Sequence, residues 1–542
     1  MNATNGNIKV DYIVVGGGSG ACAVAGRLSE SGNDSVLVLE AGGNGQDWAI
    51  RTPAAAVAML PTRYNNWAFT TVPQAGLNGR CGYQPRGKTL GGSSAINAMI
   101  YIRGHASDFD HWEALGNPGW SYRDLLPYFK RAENNADFSD DYHGQSGPMH
   151  VSKLRSENPF QQIYLQAAQQ AGFTVNPDFN GASQEGAGVY QVTQRQGERW
   201  SAARAYLEPH RASRPHLQIR TGAMVTRILF QVDGEGSVTN KRAIGVEFIQ
   251  DGITHSAYAR KEIILAAGAL QSPQLLMLSG VGDRTELEAL GITVIHHLPG
   301  VGKNLQDHPD VVLNYRSSSR DLIGLSFLGG LNLLRQSWRY MTQRRGMLTT
   351  NFAECGAFLK TAPELVAPDV QLHFVVTVVE NHARQLRWGH GYSCHVCVLR
   401  PQSRGSVRLA SADPLAAPLI DPNFLAAPED MEVMLKGLKL MRRLMDAPAL
   451  KNTRSKAYTD AECHTDDDLR QLIRARADTV YHPVGSCKMG IDAMAVVDAK
   501  LRVHGIQGLR IADASIMPTL IGGNTNAVCM VIGEKAAELI AA

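Results

Sequence analysis

The chain has 542 residues, 44% of them hydrophobic and 19% charged, which is the balance of a globular protein able to bury large cores and not that of a disordered, coiled-coil or collagen-like chain. At about 150 residues per domain its length allows three to four folding units. Its 53 basic and 50 acidic residues leave a net charge of +3, scattered along the chain, which speaks against nucleic acid as a partner.

The opening, MNATNGNIKVDY, lacks the basic and apolar regions of a secretory signal, and no run reaches the roughly 18 apolar residues of a membrane span. The expectation is a cytoplasmic protein. From Asp11, DYIVV reads as a β-branched strand, GGGSGACAVAGRL as a tight turn opening a helix, and SVLVLE as a second strand ending at Glu40. These are the parts of a dinucleotide-binding βαβ unit, in which helix amides hold a pyrophosphate and the terminal acid takes ribose hydroxyls. Gly16 and Gly18 occupy the first two glycine positions; the third falls on Ala21, with the extra glycine one place early at Gly20. By themselves these residues admit NAD or FAD.

A second glycine cluster, GKTLGGSSAINAMIYIRG from Gly87 to Gly104, offers successive backbone amides and small side chains suited to a flat ring. A third, AAGALQSPQLLMLSGVG from Ala266 to Gly282, predicts a strand end, a turn and a helix with Pro273 at its first position and Gly280 past its end. The run LIGLSFLGGLNLL, Leu322 to Leu334, is uncharged and is followed by Arg335, Arg339, Arg344 and Arg345. It is too short to span a bilayer; a core helix broken by Gly329 and Gly330, a lid, and an interfacial segment all remain open. The eight cysteines are widely spaced, and Cys394 and Cys397 lie in an apolar run, HVCVL, where an odd separation on a strand points them to opposite faces. A metal or redox pair is rejected there. Towards the C-terminus, His482 lies in YHPVGSCKMG and Asn524 in GGNTNAVCMVIGEKAA, both glycine-rich turns of the kind that carry chemistry.

Taken together, these segments resemble the glucose-methanol-choline (GMC) family of FAD-dependent alcohol oxidoreductases. GKTLGGSSAINAMIYIRGHASDFD and GALQSPQLLMLSGVG are similar to its two signature stretches, and PGVGKNLQDH, QSRGSVRL and YHPVGSCKMG to further blocks, in the family's order from about Asp11 to the last helix. NFAECGAF and GHGYSCHVCVLRPQSRG place it near choline-dehydrogenase-like and aliphatic alcohol dehydrogenases. The resemblance implies an α/β fold: a Rossmann-like FAD domain from residues 1–155, 216–310 and 465–542, and a substrate domain, a sheet covered by helices, from 156–215 and 311–464. It implies FAD contacts at Gly16, Gly18, Ser19, Gly20, Glu40, Gly92, Asn97, Ala98, Met99, Val225, Asp513, Ala514, Asn524, Thr525 and Asn526. Ile96 stands where some relatives carry a flavin-linking histidine, which predicts non-covalent FAD. His482 matches the catalytic base and Asn524 its partner.

The expected activity is oxidation of primary alcohols, aliphatic or aromatic, to aldehydes by hydride transfer to flavin N5, with a quinone-like acceptor. Alternatives are an oxidase using oxygen, a choline dehydrogenase, and the non-redox lyase and photodecarboxylase that share the fold. Glu354 is a candidate for meeting a cationic substrate, with a structural acid favoured, and Val480 for controlling access to the flavin. Peripheral contact with the inner membrane face is the alternative to a free cytoplasmic enzyme.

Overall fold

The computed structural model describes residues 8–231, 241–385, 387–457, 459 and 463–542; in the helix Phe327–Gln343 the side chains of residues 327–329 and 331 lie outside the description. Two sheets organise the chain. The first has the order Leu217–Thr221, Val36–Glu40, Ile8–Val15, Ile253–Leu265, Ala243–Gln250 and Met224–Phe230, with Leu509–Ile511 also paired to Ile253–Leu265. Its first four strands and Leu509–Ile511 run parallel, and the remainder is antiparallel. Val36 to Glu40 are all buried, as expected of a strand covered on both faces. Helix Ser19–Leu28 packs on the C-terminal helix Asn526–Ala541, so the two ends of the sequence share one core.

The second sheet is antiparallel, in the order Arg454–Ala457, Pro309–Ser317, Gly389–Val398, Val370–Val375, Ala353–Leu359 and Gly186–Val189, with Gly324–Leu325 and Asp478–Thr479 added to it. Alternation decides what each face does. In Val370–Val375, the residues Val370, Leu372 and Phe374 join the core under helices Phe160–Gln170 and Pro428–Met445. Gln371, His373 and Val375 point the other way, His373 and Val375 lining a cavity against the first domain. Likewise Cys394 sits in the helix-covered core and Cys397 in the cluster on the opposite face, both as free thiols.

Some elements differ from the sequence-based boundaries. Helix Ala202–Tyr206, inside the stretch 156–215, packs on Ser19–Leu28 beside the first sheet. Asp478–Thr479, inside 465–542, pairs with Pro309–Ser317 of the second sheet, and helix Asp466–Arg476 packs on Pro428–Met445. Pro273 is the third residue of helix Gln271–Leu278 and not its first, still within the turn whose amides need no intrahelical acceptor. The apolar run at 322–334 is no core helix: a helix passes through Gly330 and continues to Gln343, with Leu333 and Leu334 exposed.

Candidate active site

Strands Ile8–Val15 and Ile253–Leu265 end side by side, and the chain leaves both through tight turns, the crevice where a doubly wound sheet takes its ligand. At Gly16 φ is +100°, and a Cβ there would stand 2.6 Å from the Ala266 carbonyl oxygen, so only glycine fits. Gly18 opens the helix Ser19–Leu28, whose first amides have no side-chain cap; the nearest atom to a Cβ on Gly18 is 3.9 Å away. Free amides at the positive end of a helix beside open space form an anion site. Glu40 accepts from the Gly17 and Gly42 amides, each at 2.7 Å, and burial pushes its carboxyl up to about 7 against the pull of those amides.

Side chains tie the glycine-rich segments together. Ser19 Oγ donates to Asn526 Oδ1 at 2.7 Å. Asp513 accepts from the Gly268 amide at 2.8 Å, from Ser272 Oγ at 2.5 Å and from the Ser515 amide at 2.8 Å. A single cavity results, lined by Gly16, Gly18, Ser19, Gly20, Glu40, Gly92, Asn97, Ala98, Met99, Val225, Asp513, Ala514, Asn524, Thr525 and Asn526, together with Val480 and His482. Met99, Phe352 and Tyr481 on its wall have φ of +58°, +66° and +73°, a concentration of non-glycine left-handed backbone that marks functional sites.

The electrostatics converge on His482. Its Nε2 lies 3.2 Å from Asn524 Nδ2, and its Nδ1 lies 2.9 Å from His308 Nδ1. His308 Nε2 is 3.1 Å from both the Leu399 and Ile521 carbonyl oxygens, which only accept, so Nε2 carries the hydrogen. Burial pushes His308 down to about 3, which keeps it neutral with a bare Nδ1. His482 Nδ1 must therefore donate to it, and the lone pair of His482 is fixed on Nε2. Burial first, then His308, His373 and Arg86, hold His482 well below the ordinary histidine range. The Asn524 amide is fixed in turn: its Oδ1 accepts from Gln371 Nε2 at 3.1 Å, which turns Nδ2 towards His482. The pair thus offers a neutral base and a hydrogen-bond donor at one point of the cavity, the equipment for taking a proton from a hydroxyl.

The GMC oxidoreductase family model matches residues 10–310 in its N-terminal part and 401–533 in its C-terminal part. The chain belongs to the GMC oxidoreductase family. It is 45% identical over 534 residues to an alcohol dehydrogenase [acceptor] of Pseudomonas putida, covering 98% of this chain and 95% of that one. It is 41% identical over 542 residues to the mitochondrial choline dehydrogenase of Homo sapiens, covering 98% and 90%. Among solved structures, a formate oxidase of Aspergillus oryzae, studied for modification of its FAD, superposes with a TM-score of 0.90 at 27% identity, covering 99% of both chains. This GMC oxidoreductase is an FAD-dependent enzyme, and its uncapped helix start, open Gly18 and tied glycine turns fit a dinucleotide.

Glu354 holds a structural position. The side chain is fully buried but outside the cavity, accepting from Thr350 Oγ1 at 2.6 Å and Gln161 Nε2 at 2.8 Å; the irregular pairing between Ala353 and Cys355 breaks the strand alternation there and leaves it on the side of helix Phe160–Gln170, so it is not placed to meet a substrate. Several residues escaped the sequence reading. His308 closes the block PGVGKNLQDH, and its neighbour Asp307 accepts from the His482 amide at 2.9 Å. Buried Arg199 donates to the Asn97 carbonyl and to Asn97 Oδ1, at 2.6 and 2.9 Å. Gln371 and His373 carry no local motif; only strand alternation, applied once the cavity face is known, singles them out.

Proposed function

We propose that this GMC oxidoreductase oxidises uncharged primary alcohols to aldehydes, with His482 as the base, Asn524 as the hydrogen-bond donor to the alcohol oxygen, and a quinone-like electron acceptor. The observation that carries this reading is the 3.2 Å approach of Asn524 Nδ2 to a His482 Nε2 that burial keeps unprotonated. FAD, when bound, supplies the hydride acceptor. Gly16, Gly18, Ser19 and Gly20 hold its pyrophosphate, Glu40 its ribose, and the segments around Gly92, Asn97 to Met99, Val225, Asp513 to Ala514 and Asn524 to Asn526 the remainder. His482 Nε2 takes the hydroxyl proton, and the Asn524 amide steadies the oxygen as negative charge grows on it. Val480 and the apolar side chains Ile100, Phe352, Ala353 and Val375 exclude water from the reacting carbon.

Among the described residues lining the cavity, the only carboxylates are Glu40 and Asp513, both held by backbone amides. A quaternary ammonium finds no acid there, which favours a neutral alcohol over choline. The acceptor rests on the likeness to an alcohol dehydrogenase [acceptor]. The deciding experiment is an anaerobic, dark spectrum of the purified protein before and after a panel of primary alcohols, then air. Bleaching of the flavin band with slow recovery in air supports a dehydrogenase and fast recovery an oxidase; no bleaching with any alcohol moves a non-redox reaction to the front.

We further propose that the enzyme works at a bilayer surface. Among the described residues, no helix is long and apolar enough to cross a membrane. Helix Phe327–Gln343, however, exposes Leu333, Leu334, Trp338 and Met341, and Trp388 beside it is 72% exposed. The stretch 322–353 contains no acid. Arg339 and Arg345 pair with Glu157 and Arg344 with Glu198, while Arg335 is exposed. Ile323 bridges Thr377, which lines the cavity, so the segment that leads into this helix touches the cavity wall. Apolar insertion dominates such a contact and acidic lipid adds to it. Sedimentation with phosphatidylglycerol-containing vesicles, abolished by the double variant Leu334→Ser and Trp338→Ser, is expected; no sedimentation, or concentration-dependent dimers in its place, contradicts it.

A further inference from the structure

Four histidines of the described chain are buried: His143, His308, His373 and His482. In three of them both ring nitrogens are hydrogen-bonded: His143 to Glu133 and Asp178, His308 to two carbonyls and His482, and His482 to His308 and Asn524. In His373, 4% exposed, neither nitrogen has a partner. A buried polar group left unpaired costs free energy, and folded proteins keep such groups where something else completes them.

His373 has a place in the site. It lines the cavity and lies two residues beyond Gln371 on the same face of strand Val370–Val375, about 7 Å along the strand. Gln371 is the residue that fixes the Asn524 amide. Directly across on the neighbouring strand stands His395, also on the cavity wall, its ring edge-on to His373 with centroids 6.5 Å apart. Asp310 Oδ2 holds His395 Nδ1 at 2.7 Å and so sets its ring. The cavity wall also includes the apolar Ile100, Ala353 and Val375.

We propose that His373, backed by His395, is a second anchor that receives a hydroxyl carried by the substrate away from the reacting carbon, making an alcohol with a second hydroxyl the preferred substrate over a simple alkanol. The proposal rests on the alcohol-oxidising reading and deepens it. Burial, then His395 and His308, push His373 down to about 3, so it is neutral and presents one N–H and one lone pair. A hydroxyl can answer either. An alkyl chain answers neither and leaves the ring as unpaired in the complex as it is in the free protein, which is how polar sites reject analogues lacking the matching group.

The test compares 1-alkanols with terminal diols of the same carbon number over a series of chain lengths. The FAD-loaded enzyme is used, and the rate of anaerobic flavin reduction is measured together with its half-saturating alcohol concentration. Calorimetry adds dissociation constants for a pair of tertiary alcohols, with and without a distal hydroxyl, which have no hydrogen on the carbinol carbon to give up. The expected result is that at one chain length the diol saturates at about tenfold lower concentration or less, and that the hydroxylated tertiary alcohol binds tighter by a similar factor. His373→Phe erases both ratios, and His373→Asn, which keeps a donor and an acceptor, retains part of them. Equal values for alkanol and diol at every length, as when a fixed water already fills the spot, overturn the proposal, as does a preference that survives in His373→Phe. Should no alcohol reduce the flavin while the tertiary pair still discriminates, alcohol oxidation fails and the anchor stands.

Discussion

As the proposed base, His482 can act only in one protonation state and one tautomer, and its neighbours impose both. Replacing it with alanine is expected to slow flavin reduction by alcohol by about 10²- to 10⁴-fold while FAD stays bound. Asn524→Ala, which leaves the base in place, is expected to cost less; stopped-flow reduction of the two variants checks the order, and the reverse order would mean that the roles are exchanged. The pH dependence follows from the same burial. The protonated histidine cannot accept a proton, so activity is lost as pH falls through the pKa of His482, which is held well below the ordinary value. Flavin reduction should therefore stay level as pH falls through about 6.5, where an unperturbed histidine is half protonated. A drop centred there would place His482 in contact with water. The sequence made His482 and Asn524 legible because each lies in a glycine-rich block with its own pattern, whereas His308 and Gln371 act through contacts with residues 174 and 153 positions away, and Gln371 and His373 carry no local motif.

Among elements, the crossing of Ser19–Leu28 with Asn526–Ala541 governs how the cofactor cradle is built. A Cβ on Gly20 would stand 2.2 Å from the Ala512 carbonyl oxygen, and one on Gly533 2.4 Å from the Gly20 oxygen. The Gly20-Ala21 order, one place off the expected pattern, is thus explained: glycine sits where the helix touches the Ala512 turn and the C-terminal helix, and Ala21 is fully buried beside it. Gly20→Ala is expected to destabilise the protein by about 1–3 kcal/mol or more, as overpacking does, read as a lower melting temperature with and without FAD. Gly18→Ala meets nothing closer than 3.9 Å in the protein, so it should spare the melting of the apoprotein and weaken FAD binding. Equal melting losses in both variants would mean that the two glycines serve the same contact. The βαβ unit was readable because strand, turn and helix follow one another within 33 residues, from Ile8 to Glu40; the partner at Gly20 was not, because it lies near the other end of the chain.

For the whole molecule, FAD is expected to hold the two sheets together, since the cavity is lined from both. Ile96, where a linking histidine would stand, offers no nucleophilic atom, so denaturation should release the yellow colour into the supernatant; colour in the pellet would contradict this. Free FAD at 100 times its dissociation constant should stabilise the fold by about 2.7 kcal/mol over the apoprotein, seen as a higher melting temperature. The sequence by itself determined the glycine turns, the acid at Glu40, the order of the family blocks and the block that holds the proposed base, because each depends on residues close together along the chain. Only the tertiary structure decided that Glu354 turns from the cavity, that His308 selects the tautomer of His482, that Leu333 and Leu334 lie on an exposed helix face, and that His373 is left without a partner. Those outcomes depend on which face of a strand or helix is covered, and that is set when distant segments pack.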